Sequence, residues 1–193
     1  MPQLLGPFRN LSRRFRRDRR GVTAVEFALV APVFFALLFA IIETAMVFFA
    51  GQVLETIAQD SARLVLTGQA QGGSLSQEDF KKQVCAHRLM FMFDCSGISV
   101  DVRSYAQATL VKIPNQIGPG GVFINDMKYC PGQDGSIAVV RLFYQWPVII
   151  IKMLNVGYNL SYDLSNLSGN KRLLSATAVF KNEPFPVGGA TCS

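Results

Sequence analysis

One histidine, His87, and one tryptophan, Trp146, are all that this 193-residue chain has of either residue. No catalytic pair that draws on a second His is available. Nor is there a C-x-x-C among Cys85, Cys95, Cys130 and Cys192, so zinc-ribbon and thioredoxin-like chemistry lack their spacing. "GPGG" at 118–121 lacks the Lys and the Ser/Thr of a phosphate loop. Apart from the neighbours Glu78 and Asp79, acids beyond the first 20 residues are scattered, and no pair for acid–base work is expected. The expectation is therefore no catalytic, cofactor-binding or metal-ligating residue, no cofactor and no small-molecule substrate.

Negative charge is nearly missing where positive charge is dense. Residues 1–20 carry seven arginines against the single acid Asp18, and the other twelve Lys/Arg are balanced by twelve Asp/Glu. The whole formal charge of +6 thus sits in the N-terminal arm. A nucleic-acid binder needs its cations on a folded surface. An Arg-rich arm directly before an apolar run reads instead as a membrane orientation signal, and no nucleic-acid partner is expected.

Between Phe27 and Ile42 there is no charge at all: "FALVAPVFFALLFAII", sixteen residues. The apolar stretch with its flanks runs from Val22 to Ala50. Glu26 to Glu43 spans roughly 26 Å at about 1.5 Å per residue, against a hydrocarbon core about 30 Å thick. A central carboxylate costs about 2.5–3.5 kcal/mol on insertion scales, and each Leu, Ile, Phe or Val returns about 0.3–0.6. The eleven such residues between Phe27 and Ile42 return roughly 3–7 kcal/mol. That supports two carboxylates near the interfaces but not two at the centre. Arginines on the N-terminal side place that end in the cytoplasm and everything after about Ala50 outside. An ordinary signal-peptide cut needs small residues at the first and third positions before it. Ala45, Ala50 and Gly51 each fail, with Glu43, Phe48 and Phe49 two residues back. The small residue at a charge boundary is Gly21, which lies before the apolar run.

Beyond the span, Leu54, Ile57, Ala58, Ser61, Leu64 and Val65 recur at three and four, until Gly68 and "QGG" stop the pattern. One helix from about Thr23 to about Thr67 is expected, apolar all round and then amphipathic. Pro32 removes one backbone bond within it and is expected to kink it. A second helix is expected over Ser76–Phe91, capped by Ser76 with Asp79, with His87 on its surface. The period then changes to two. "ISVDVRSY" puts Ile98, Val100 and Val102 inward and Ser99, Asp101 and Arg103 outward. "SIAVVRLFYQW", stopped by Pro147, and "RLLSATAVFKNE" read as further strands. The fold class expected is α+β, an antiparallel sheet of at least three strands against the amphipathic half of the helix.

"RRGVTAVEF" now gains a meaning. An Arg-rich leader, then Gly, then "VTAVEF" opening a long apolar helix resembles the N-terminus of a type IV prepilin. That family cuts after the Gly and carries Glu at the fifth mature position. Gly21, Val22 and Glu26 occupy those places. Phe27 stands where the Tad/Flp branch commonly has Tyr. "ALVAPVF", "CAHRLMFMFDCSGISVDVRSY", "VVRLFYQWPVI" and "LLSATAVFKNEPF" resemble TadE-like pseudopilins. Flp pilins are far shorter and TadG-like proteins carry a much larger extra domain. The resemblance implies a type IV pilin-like fold. Residues 1–21 would be a basic cytoplasmic leader removed by prepilin peptidase. Residues 22–50 would cross the inner membrane, and residues 51–193 would form a periplasmic domain.

The implied role is non-enzymatic: a minor component or assembly factor of a Tad-type pilus for surface adherence, partnered with prepilin peptidase and other pilins. Glu26 would then face the new ammonium of Val22, in its own chain or a neighbour, and set the register of stacked helices. The rival reading is a signal-anchored periplasmic binding domain that does not polymerise. With all four cysteines outside the cytoplasm, two disulfides are expected. Three connectivities are open; the favoured one is Cys85–Cys95 with Cys130–Cys192.

Overall fold

In the computed structural model the described residues are 21–72, 75–149 and 164–184. The arginine arm and Cys192 lie outside them. The chain divides into two compact units after Ile42.

Helix α1 runs without a break from Val22 to Leu66, 45 residues or about 67 Å of rise. Pro32 lies inside it. None of the residues from Val22 to Ile42 is buried. An apolar helix with no packed face in water has no hydrophobic stabilisation to oppose its ordering. Length and composition are sufficient to cross a membrane.

In the second unit, from Glu43 onward, the same helix carries a stripe. Glu43, Val47, Ala50, Val53, Leu54, Ile57, Ala58, Ser61, Ala62 and Val65 are buried. These recur at three and four, as a core-facing helix must. Val47 and Ala50, expected inside the apolar span, belong to this core. Short helix α2 (Gln69–Gly72) and helix α3 (Gln77–Cys85) follow. Strands β1 (Ile98–Tyr105), β2 (Ile137–Pro147) and β3 (Lys171–Lys181) form an antiparallel sheet in the order β1-β2-β3.

Register explains which side chains meet the helix. Val100 pairs with Leu142 and Leu142 with Ala176; Val102 pairs with Val140 and Val140 with Ala178. With Ile98, Ala138 and Leu174 these make one face. One hydrophobic cluster joins that face to the α1 stripe and to Phe80 and Val84 of α3. Phe80, Leu54, Ile57 and Leu142 are among its largest fully buried members.

Three local expectations are corrected. The second helix stops at Cys85 rather than Phe91. Its start is as expected: Ser76 Oγ accepts from the Asp79 N–H at 3.2 Å and donates to Asp79 Oδ2 at 2.7 Å. Its end comes early because His87 is extended, with ψ 138°, and caps a separate 3-10 turn over Arg88–Met92. His87 is thus no surface helix residue. Its Nδ1 accepts the Leu89 N–H at 3.2 Å, which assigns the ring proton to Nε2, 2.9 Å from Asp60 Oδ2 on α1. The third correction is Asp101. It does lie on the face opposite Val100 and Val102, but that face is covered, and Asp101 is fully buried.

What covers it is the long connection between β1 and β2. Val102 donates to the Lys128 carbonyl and accepts from the Cys130 N–H, so 128–130 lies along the outer edge of β1. Lys128 N–H also donates to Asp101 Oδ1 at 2.8 Å. Arg141, directly across the sheet from Asp101, donates to Oδ2 from Nη2 at 2.6 Å and Nε at 3.0 Å. Arg103 Nε reaches both carboxylate oxygens at 3.0 Å. Arg141 Nη1 holds the Pro114 carbonyl at 2.9 Å, and its guanidinium lies 5.1 Å from the Phe143 ring centroid. With its amide oxygen turned to Arg141, Gln116 accepts from Nη2 at 3.2 Å. A buried carboxylate between two guanidiniums is tolerated because every oxygen is hydrogen-bonded.

Candidate functional site

Gly21 directly precedes α1, and Val22 is its first residue. A Cβ placed on Gly21 meets nothing within 4 Å. This chain's own fold therefore makes no demand for glycine there. Any such demand comes from whatever grips the peptide. Val22 and Glu26 are separated by one helical turn and share a face, with i,i+4 Cβ atoms typically about 5–6 Å apart. Both are exposed. A carboxylate one turn from a main-chain nitrogen is positioned to meet a positive charge arising there, on the same chain or on a neighbouring helix.

Glu43, the other carboxylate bounding the uncharged run, is disposed differently. It is 7% exposed, and its Oε1 accepts the backbone N–H of Ile149, just past β2. Sequence reasoning placed Glu43 at an interface and missed this contact. A signal existed: Glu43 heads the three-and-four series continued by Val47, Ala50 and Leu54.

Cys85 and Cys95 form a disulfide with Cα atoms 5.7 Å apart, tying the end of α3 to the turn that leads into β1. Cys130 is also disulfide-bonded, and Ser104 Oγ lies 3.8 Å from its sulfur. The expected partner, Cys192, lies outside the described residues. The loop clamped by Cys85–Cys95 carries Phe93, which stacks edge-on against Tyr144 at 5.0 Å and Trp146 at 6.2 Å.

Two open concavities lie among the described residues. One open pocket of 350 Å³ lies between α3 and β1, lined by Gln77, Lys81, Ser99 and Asn125 among others. A second, of 310 Å³, is bordered by Arg141, Ser175 and Thr177. Arg141 is already engaged by Asp101, Pro114 and Gln116, so it has little to offer an anion there. Among the described residues no group of three or more His, Cys, Asp or Glu could hold a metal ion.

The features that stand out are thus a junction, a helix and its docking. A family model described as TadE-like protein matches residues 21–63, from the glycine before α1 to near the end of its buried stripe. No curated protein matches the chain, and no solved structure does. From Gly21 to Arg63 the chain is similar to the TadE-like family, and that likeness extends over less than a quarter of its length.

Proposed function

We propose that the chain is a non-enzymatic, minor pseudopilin or assembly factor of a Tad-type pilus, made as a membrane-anchored precursor. In this reading the arginine arm stays in the cytoplasm and residues 22–42 cross the inner membrane. The domain beyond stands in the periplasm. Prepilin peptidase cuts between Gly21 and Val22. The observation that carries the proposal is the form of α1 within the matched segment. One unbroken helix begins at the glycine, has no buried residue up to Ile42, and then buries a stripe in an α+β domain.

The chemistry at each point follows. Gly21 offers a peptidase bare backbone, since nothing in the fold fills the space of a Cβ. Cleavage leaves an ammonium on Val22 in an apolar setting, where an unpaired charge is costly. Glu26 supplies the opposite charge and, across helices, allows one offset only. Other pilins of the same system are the partners, and adherence to a surface is the purpose of the assembly.

N-terminal sequencing of the mature protein tests the reading. It is expected to begin at Val22, and Gly21→Val is expected to retain the leader, about 21 residues heavier on a gel. A mature start at Met1 favours the rival, a signal-anchored periplasmic domain that does not polymerise.

A further inference from the structure

The domain has an end that converges on the base of the helix stripe. Ile149 N–H is held by Glu43. Val148, one residue before it, donates to the Asn170 carbonyl at 2.9 Å. Asn170 takes the left-handed φ of 57° in the turn that feeds β3, whose first residue, Lys171, pairs with Pro147. The neighbouring Ser168 donates to the Gly121 carbonyl at 2.8 Å. Gly121 has φ +71°, and a Cβ there would sit 2.9 Å from the Ser168 nitrogen, so this contact requires glycine. A chain of hydrogen bonds therefore gathers Glu43, 147–149, 167–171 and 119–122 at one end.

That end displays apolar side chains with little charge beside them. Ile149 is 65% exposed and Val122 57% exposed. Across 119–122, 147–149 and 167–171 there is no acid, and Lys171 is the only charge. Glu43, the carboxylate that belongs there, is turned inward. At the far end of the same sheet the exposed residues include Asp134 and Glu183. Apolar side chains beside one lysine, with no carboxylate, suit the boundary of a bilayer.

We propose that this end of the domain is a second membrane contact, with Ile149 and Val122 entering the outer leaflet beside the point where α1 leaves it. The inference rests on the reading that residues 22–42 span the membrane. It adds that the domain lies against the lipid surface instead of standing clear of it. The occupant is the lipid surface itself, since Glu43 both closes the uncharged run and holds Ile149.

The test uses tryptophan as a depth probe. In a Trp146→Phe background, which keeps an aromatic ring beside Phe93, single tryptophans are placed by Ile149→Trp, Val122→Trp, Phe39→Trp and Asp134→Trp. Each full-length chain is reconstituted in phosphatidylcholine–phosphatidylglycerol vesicles, with and without brominated acyl chains. Ile149→Trp and Val122→Trp are expected to emit to the blue of Asp134→Trp and to lose fluorescence in brominated lipid. Two positions keep the test alive if one variant misfolds. Blue emission without quenching at both positions means that protein covers them, and red emission without quenching means water; either result overturns the proposal. Quenching at Phe39→Trp with none at the other two leaves the anchor standing and this inference refuted. No quenching even at Phe39→Trp removes the anchor and the inference together.

Discussion

Asp101→Asn isolates the charge at the centre of the covered sheet face while keeping its shape. In the wild type the carboxylate takes Arg141 Nη2 at 2.6 Å and Nε at 3.0 Å, Arg103 Nε at 3.0 Å and the Lys128 N–H at 2.8 Å. The Asp101 side chain is 0% exposed and that of Arg141 is 3% exposed. Removing the negative charge leaves Arg141 buried without compensation. Breaking a buried pair in this way costs about 3–5 kcal/mol. Set against a typical total of about 5–15 kcal/mol, that is a large share of the stability. The midpoint of thermal unfolding should fall by on the order of 10 °C for a domain of this size. Trp146 is the chain's only tryptophan and packs against Phe93, so its emission follows the domain without a signal from the apolar helix. The full-length protein in detergent is the sample. Replacing both, Asp101→Leu with Arg141→Met, should recover part of the loss, because the fully buried guanidinium is gone while Arg103 keeps Asp126 as its partner. Asp101→Asn within about 1 kcal/mol of wild type, the level of a surface ion pair, would sink the argument. So would a double variant no better than the single one.

Glu26→Ala should still be cut and inserted, since losing a carboxylate eases insertion, yet should no longer co-purify with pilin partners; normal pili from that variant would reduce Glu26 to an interface residue. Mass spectrometry after non-reducing digestion should show Cys85 joined to Cys95 and Cys130 to Cys192. Cys85→Ser with Cys95→Ser should lower stability by about 2–3 kcal/mol in the chain-entropy account, and four freely alkylated thiols in intact cells would invert the topology. Burial, and secondarily the field of Asp79, pushes the Tyr129 phenol up to about 12 from 10.0. The raised value favours the neutral ring in the fold, so this contribution is complete below pH 10.0 and is lost as pH rises towards 12. Tyr129→Phe should remove that slope from an alkaline stability profile, and an unchanged slope would refute the assignment.

Periodicity made the architecture legible. The long helix was expected over about Thr23–Thr67 and runs Val22–Leu66, because apolar residues at three and four spacing leave little freedom in where the pattern ends. The three strands were likewise readable from alternation within a residue or two. Alternation states which side chains share a face but not whether that face is covered. Asp101 was therefore placed in solvent, although the connection bearing Pro114, Gln116 and Lys128 lies over it. Two mid-strand charges of opposite sign, Asp101 in "SVDVR" and Arg141 in "VVRLF", were the available signal of a cross-strand pair. His87 was misread because helix-like spacing continued through it. Its extended backbone, in a loop closed by Cys85–Cys95, is a tertiary matter. Glu43 was read by composition as a boundary residue; its bond to Ile149 joins positions 106 residues apart, beyond any local pattern.

The α1 stripe is tied at both ends: Glu43 holds Ile149 past β2, and the Leu66 carbonyl accepts the Glu183 N–H past β3 at 3.0 Å. A protein drawn along its helix axis bears load wherever that helix is fastened. Here the force falls on Val47, Ala50, Leu54, Ile57, Ala58 and Val65 together, as shear along a packed seam. Shear must break such contacts at once, whereas peeling releases them in turn. A pull along the helix is therefore expected to meet that seam as a whole before it reaches the sheet. The same pull applied at the β3 end would meet only one strand's bonds at a time and would open the sheet first.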